Sequence, residues 1–232
     1  MICGLLHPGS GLGNMLHRFV GTKSLAVECG EAHGMIGMEH FKGAGWMTLQ
    51  TMAVDVPNHI ESPAGKLVVD DAKGMTILDG EYQAEKDFLP HLEEIRDWIQ
   101  VQPMAIPDIC IISHRGGEYT LYPDLYLPQS YWNRAIEIMK LKYRGIHFQV
   151  QTDDVEAAKK QFPDFECIHD IAYNWRAIRY AKHLIVSNSS FAIIPAHLSP
   201  AKEIIAPLGW AGHNKSIWQM PDNKYSRFTY IV

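Results

Sequence analysis

From residue 109 to residue 205, short apolar runs alternate with stretches whose apolar residues return every three or four positions. The runs at 109–113, 146–150, 184–186 and 203–205 have the length of strands, and the stretches at about 131–141, 153–161 and 175–182 have the spacing of helices. Parallel strands cannot be joined by a tight hairpin and need a long crossover, so this alternation predicts a parallel sheet flanked by helices. Ligands of such sheets bind at the carboxyl ends of the strands.

The first part of the chain carries a shorter version of the same pattern. Residues 1–6 read as a buried strand, Gly9-Ser10-Gly11-Leu12-Gly13-Asn14 as a turn, and Met15, Leu16, Phe19 and Val20 as the apolar side of a helix. Between 30 and 74 the breakers Gly34, Gly37, Gly43, Gly45, Pro57, Pro63 and Gly65 predict loops, with a short strand near 67–69. A strand at 75–78 follows, and Phe88, Leu89, Leu92, Ile95, Trp98 and Ile99 form one helix face opposite Glu85, Glu93, Glu94 and Arg96. Pro103 and Pro107 bracket a linker. The expected fold is therefore α/β in two halves, 1–103 and 104–232, with the ligand in the cleft between them.

Composition narrows the function classes. The 232 residues are 47% hydrophobic and 20% charged, enough for a real core, and the net charge of −5 comes with no basic stripe for nucleic acid. No polybasic or lipidation signal marks a membrane protein, and no apolar run approaches the roughly 18 residues of a span. Peripheral contact with a membrane is left open. Cys3, Cys29, Cys110 and Cys167 stand far apart with no Cys-x-x-Cys pair, which points to a reducing compartment and a cytoplasmic protein.

Four segments invite chemistry. In Ile111-Ile112-Ser113-His114-Arg115-Gly116-Gly117-Glu118-Tyr119 an apolar run empties into an arginine and two glycines. Glycines let a ligand approach the backbone, and a guanidinium matches phosphate oxygens. The competing reading pairs Arg115 with Glu118 to fix the loop. Gly9 to Asn14 lacks the Gly-Lys-Ser/Thr ending of a phosphate P-loop, and Leu16 stands where a dinucleotide fingerprint needs a small residue. What remains is either an anion site at a helix start or a plain strand-to-helix turn. Ser187-Asn188-Ser189-Ser190-Phe191 offers a helix cap or a second phosphate contact. Thr152-Asp153-Asp154 reads as a cap or turn rather than a metal site, since no two aspartates are separated by one residue, and the 12 histidines show no compact ligand spacing. His40, His91, His147 and His213 take ordinary surface or core readings.

Six segments in order resemble the α-1,2-fucosyltransferase family and its wider superfamily of GDP-fucose enzymes. Gly9 to Asn14 is similar to the family's Gly-Gly-Leu-Gly-Asn-Gln opening. Leu78-Asp79-Gly80-Glu81-Tyr82-Gln83-Ala84-Glu85-Lys86-Asp87-Phe88, continued by Glu94-Ile95-Arg96, is similar to its Gly-Tyr-Trp-Gln-Ser-Glu-Lys-Tyr-Phe segment. Ser113 to Tyr119 resembles the His-x-Arg-Arg-Gly-Asp-Tyr signature, and Thr152-Asp153-Asp154 the Ser-Asp-Asp. Ala181-Lys182-His183-Leu184-Ile185-Val186-Ser187-Asn188-Ser189-Ser190-Phe191 resembles Cys-Lys-His-Asn-Ile-Ile-x-Asn-Ser-Ser-Phe, and Ile205-Ala206-Pro207 with Trp210 the terminal Ile-Ala-Pro and Trp. The chain departs from the pattern at Met15, Ser113, Gly116, Glu118 and Asn174.

The resemblance implies two Rossmann-like parallel-sheet halves of the GT-B kind, with the nucleotide on the C-terminal half and the acceptor mostly on the N-terminal half. It implies inverting transfer of fucose from GDP-β-L-fucose to a hydroxyl of a glycan acceptor, with no required metal or other cofactor. Arg115 would bind the β-phosphate, aided by Ser113 and by N–H groups from Gly11 and Gly13 to Asn14 and from the Ser187 turn. Asn14 would reach the donor sugar, Ser189, Ser190 and Phe191 the α-phosphate or ribose, and Asp170 or Asn174 the guanine edge. The base is unassigned: Glu118 and His114 lie nearest the signature, while Glu28, Glu31 and Asp55 lie in the acceptor half. The departures leave a different nucleotide-sugar donor, or a binding protein without turnover, as alternatives.

Overall fold

The computed structural model describes residues 1–55, 67–70, 74–208, 210–211, 217–218 and 224–232. Pro57, Pro63, Gly65, His213 and the side chain of Trp210 lie outside the described residues. The chain divides into two compact units, Met1–Gln102 and Pro103–Val232.

The first unit holds β1 (Ile2–Leu5), α1 (Leu12–Glu28), β2 (His33–Ile36), β3 (Met47–Leu49), β4 (Met52–Ala53), β5 (Leu67–Asp70), β6 (Met75–Leu78), α2 (Leu92–Trp98) and β7 (Ile99–Val101). Its main sheet runs β4-β2-β1-β6-β5, parallel except for β5, which pairs antiparallel with β6. α1 lies on this sheet with Met15, Leu16, Phe19 and Val20 at most 1% exposed, the expected apolar side.

Two expectations fail here, for identifiable reasons. The helix face expected from Phe88 to Ile99 shrinks to α2. Pro90 sits in a 3-10 turn at Leu89–His91 ahead of it, and Ile99 leaves the helix to start β7. A ladder with β3, Met47 opposite Val101 and Leu49 opposite Ile99, wins over another helical turn. The region expected to be loops contains β2, buried beside β1, because parallel pairing to a core strand supplies what local pattern lacks.

The second unit holds β8 (Cys110–Ser113), α3 (Gln129–Lys142), β9 (Phe148–Gln151), α4 (Val155–Gln161), β10 (Glu166–Ile168), α5 (Ile171–Tyr180), β11 (His183–Val186), α6 (Ser190–Leu198), β12 (Glu203–Pro207), β13 (Trp210–Ala211), β14 (Ile217–Trp218) and β15 (Thr229–Ile231). Six strands form an all-parallel sheet in the order β10-β9-β8-β11-β12-β15. Counting parallel strands along the unit, this is 3-2-1-4-5-6, the order of doubly wound nucleotide-binding sheets. Ile111, Ile112, Leu184, Ile185 and Ile205 are fully buried, as continuous apolar strands covered on both faces must be. α5 begins at Ile171 rather than Trp175, because the Asp170 carboxylate accepts from the Tyr173 N–H at 2.7 Å and caps the extra turn.

Candidate functional site

In a sheet of this order the chain leaves β8 and β11 in opposite directions, and the gap between their carboxyl ends is the usual ligand crevice. β8 and β11 are neighbours in register, with Ser113 opposite Val186. Past the last rung the Ser187 N–H still donates to the Ser113 carbonyl at 2.9 Å, while the His114 N–H donates to the Gln151 carbonyl at 2.8 Å on the other side. The Arg115 turn and the Ser187 turn, 72 residues apart by number, thus flank one point.

The Arg115 turn is tightly determined. One guanidinium nitrogen meets Glu118 Oε1 at 2.9 Å, another pairs with Asp153 Oδ2, and the guanidinium carbon sits 5.1 Å from the centre of the Tyr119 ring. The second Asp153 oxygen accepts from the Gly116 N–H at 2.8 Å. Gly117 has φ +48°, and a Cβ there would fall 2.8 Å from an Asp153 carboxylate oxygen, so only glycine fits. Asp154 caps α4, accepting from the Ala157 N–H at 2.9 Å. The two aspartates therefore cap a helix and hold a turn. Among the described residues no three His, Cys, Asp or Glu side chains gather into a metal-holding group.

His114 is locked into the floor of this turn. Nδ1 lies 2.9 Å from Thr152 Oγ1 and Nε2 lies 3.1 Å from Gln161 Oε1, with the rings of Tyr126, Trp132 and Phe162 around it. Burial pushes its pKa down to about 4 despite the opposing charges of Asp153 and Asp154. Both nitrogens of a neutral ring are occupied, which suits a structural pin. Glu118 is about half exposed and engaged with Arg115.

The facing turn has spare polar capacity. Ser189 caps α6, accepting from the Phe191 N–H at 3.4 Å, and Ser190 and Phe191 form the first helical turn. Ser187 Oγ and Asn188 Oδ1 are buried with no partner among the described residues, whereas Asn188 Nδ2 donates to the Leu125 carbonyl at 3.0 Å. Unpaired buried acceptors and hydroxyls are costly, and such groups mark places where a ligand or water completes the bonding. Asp170 caps α5, and buried Asn174 donates to the carbonyls of Thr152 at 3.1 Å and Ile168 at 3.2 Å, tying β9 to β10. Asn174 Oδ1 is buried without a partner among the described residues.

The first unit has its own switch point, between β1 and β6. Gly11 caps α1 with open space around its Cα, and Gly13 and Asn14 lie in the first turn. Asn14 Oδ1 accepts from Gln83 Nε2 at 3.2 Å. Beyond β6 stand Asp79 and Glu81, with Arg18 bonded to both and His7 bonded to Asp79 at 2.9 Å. His7 and Arg18 were not singled out in the sequence, since neither carries a local signal and their partners lie more than 60 positions away. Of the other acids, Glu31 pairs with the amino terminus at 2.9 Å, and Glu28 faces His91 at 3.4 Å. A cavity of about 410 Å³ between Lys23, His33, Gln50 and Thr51 opens at the amino end of this sheet, away from the strand ends described above.

No protein-family model matches the chain, and no curated protein matches it. Solved structures do. A glycosyltransferase family 9 protein from Veillonella parvula is 12% identical, covering 99% of this chain and 85% of its own, with a TM-score of 0.50. Fucosyltransferase NodZ from Bradyrhizobium is 11% identical over 96% of this chain and 98% of its own, at a TM-score of 0.45. A NodZ α-1,6-fucosyltransferase soaked with GDP-fucose is 10% identical over 96% and 99%, also at 0.45. The first likeness is one of fold, and it agrees with two Rossmann-like α/β halves of the GT-B kind.

Proposed function

We propose that this chain is a glycosyltransferase that moves fucose from GDP-β-L-fucose to a hydroxyl of a glycan acceptor, inverting the anomeric carbon. The observation that carries this reading is the pairing of the Arg115 turn with the Ser187 turn at the switch point of a 3-2-1-4-5-6 sheet. A diphosphate there would meet a guanidinium, the positive end of the α6 dipole and the Ser187 hydroxyl, a donor with no partner among the described residues.

In the reaction the acceptor oxygen attacks the anomeric carbon and the bond to the β-phosphate breaks, so negative charge grows on the leaving GDP. Arg115, freed from Glu118 and Asp153, supplies the countercharge that a cation supplies in metal-dependent enzymes of this class. Both ion pairs are about one-third exposed on the arginine side, so exchanging them for a phosphate is inexpensive. The resemblance assigns Asn14 to the donor sugar, and Ser189, Ser190 and Phe191 to the α-phosphate or ribose side. Four cysteines, free in the structure, fit a reducing, cytoplasmic setting.

One observation favours a second donor. Asn174, standing where the family has an acid, spends its amide donors on two backbone carbonyls, so it offers a base only its Oδ1 acceptor. A panel of GDP- and UDP-sugars, incubated with the protein and candidate acceptors in EDTA, tests both readings. Consumption of GDP-fucose with release of GDP is expected. Preference for a UDP-sugar would move the assignment to another donor, and binding without turnover of any sugar would overturn the enzyme reading.

A further inference from the structure

On α1, Lys23, Ala26 and Val27 are spaced i, i+3, i+4 and so share one face, and all three line the cavity of about 410 Å³. Its other wall comes from the amino ends of two paired strands: His33 starts β2, and Gln50 and Thr51 lead into β4. The cavity lies wholly within the first unit, at the opposite end of the sheet from the glycine turn, and the glycosyl-transfer reading makes no use of it. Small-molecule sites have volumes of roughly 300–1,000 Å³, so this one has room for a small organic molecule.

Lys23 brings a desolvated positive charge to this wall. The residue is only 9% exposed. Nζ donates to the Gln50 carbonyl and, at 3.3 Å, to Gln50 Oε1, and it sits 5.1 Å from the centre of the Trp98 ring and 5.7 Å from that of Phe19. Amide oxygens and aromatic faces solvate an ammonium without neutralising it. No carboxylate pairs with Lys23 among the described residues, and burial alone pushes its pKa down. Glu31, also in the wall, is spent on the amino terminus at 2.9 Å. A desolvated charge without a counter-charge is costly, so a cavity walled by one favours an anion.

The neighbouring groups narrow the class of anion. The Thr22 hydroxyl donates to the Arg18 carbonyl at 2.7 Å, so its oxygen accepts from His33 Nε2 at 3.0 Å, and His33 Nδ1 accepts from the Thr51 hydroxyl at 2.9 Å. His33 is therefore neutral, which leaves Lys23 the one cation among the described residues that line the cavity. Gln50 Nε2 adds a donor with no partner among the described residues. Val27 and Met52, 48% and 50% exposed, add an apolar rim. One lysine matches the single charge of a carboxylate better than the nearly double charge of a phosphate monoester. We propose that this cavity is a binding site of its own for a small monocarboxylate with an apolar body, its carboxylate on Lys23 and its body against Val27 and Met52. The site belongs to the first unit alone and is independent of the glycosyl-transfer reading.

The test is a calorimetric titration of hexanoate into the full chain, with hexan-1-ol and inorganic phosphate as comparison probes. Saturable binding of one hexanoate per chain is expected, with each comparison probe weaker by about 10-fold or more. Lys23→Met keeps the apolar stem and should weaken hexanoate about 10- to 100-fold, the worth of a charge-assisted hydrogen bond. Val27 is exposed, so its variants keep the fold. Val27→Glu should weaken hexanoate and Val27→Lys should tighten it, and this pair decides the matter if Lys23→Met does not fold. Absence of saturable hexanoate binding, or equal affinity in the wild type, Lys23→Met and Val27→Glu, would overturn the proposal. Tighter binding of phosphate than of hexanoate would overturn the carboxylate class. Loss of hexanoate binding in Arg115→Ala would put the carboxylate on the second unit and overturn the site.

Discussion

At the scale of residues, Arg115 is occupied by the carboxylates of Glu118 and Asp153 in the structure, while the proposed function gives it a phosphate. Under the proposed function these are successive states of one group. An exposed ion pair is worth well under 1 kcal/mol on average, whereas charge-assisted hydrogen bonds to a ligand are worth about 1.5–3 kcal/mol each. Glu118 is 54% exposed and only borders the site. Glu118→Gln is therefore expected to change the urea unfolding free energy by less than about 1 kcal/mol. It should leave GDP affinity equal or a few-fold tighter in calorimetry, because a competing acceptor has been weakened. Markedly weaker binding would mean that Glu118 contacts the ligand itself. The Arg115 turn was legible in the sequence as either a phosphate site or an Arg115–Glu118 pair, and the structure forms that pair. His7 and Asp79 were not, since a histidine two residues past one strand and an aspartate past another acquire meaning only when β1 and β6 pair.

At the scale of elements, three histidines, two buried and one half-buried, staple helices and strands together. His17 on α1, His33 on β2 and His114 after β8 are each pushed down to about 4, chiefly by burial. His33 joins Thr22 of α1 at 3.0 Å and Thr51 at 2.9 Å, while His17 bonds the Tyr82 carbonyl at 3.2 Å. Free histidine in an unfolded chain titrates near 6.5, so between about 6.5 and about 4 the unfolded state holds protons that the folded state refuses. Stability must then rise with pH through that window and level off above it. Urea midpoints should fall from pH 7.5 to pH 5.5. Each such histidine contributes at most about 1.4 kcal/mol per pH unit, and His17→Leu should flatten the slope by its share. A midpoint independent of pH across this range would contradict the burial argument.

The elements also show where sequence pattern stops. β8, β11 and α3 were readable because apolar runs and helical spacing agree with their burial. β2, β7 and β15 have only three or four residues, and pairing with a neighbour, not their own composition, makes them strands. Ile99 belonged equally well to a helix face until its ladder with Leu49 decided it.

At the scale of the whole molecule, a mainly parallel sheet in the first unit and a parallel one in the second each bring a glycine or serine turn, a helix start and a charged cluster to the carboxyl ends of their parallel strands. In the second unit that cluster is Arg115 with Glu118 and Asp153, and in the first it is Asp79 with His7 and Arg18. The strand order was not readable residue by residue, yet it is what turns two separate sequence segments into one site. The most direct test of the account is a calorimetric titration of GDP, in EDTA, into the wild-type protein and the Arg115→Ala variant. The account predicts binding to the wild type that weakens on the order of 10- to 100-fold in the variant, in line with the loss of charge-assisted hydrogen bonds. Equal affinity in the two proteins, or no binding to either, would contradict it.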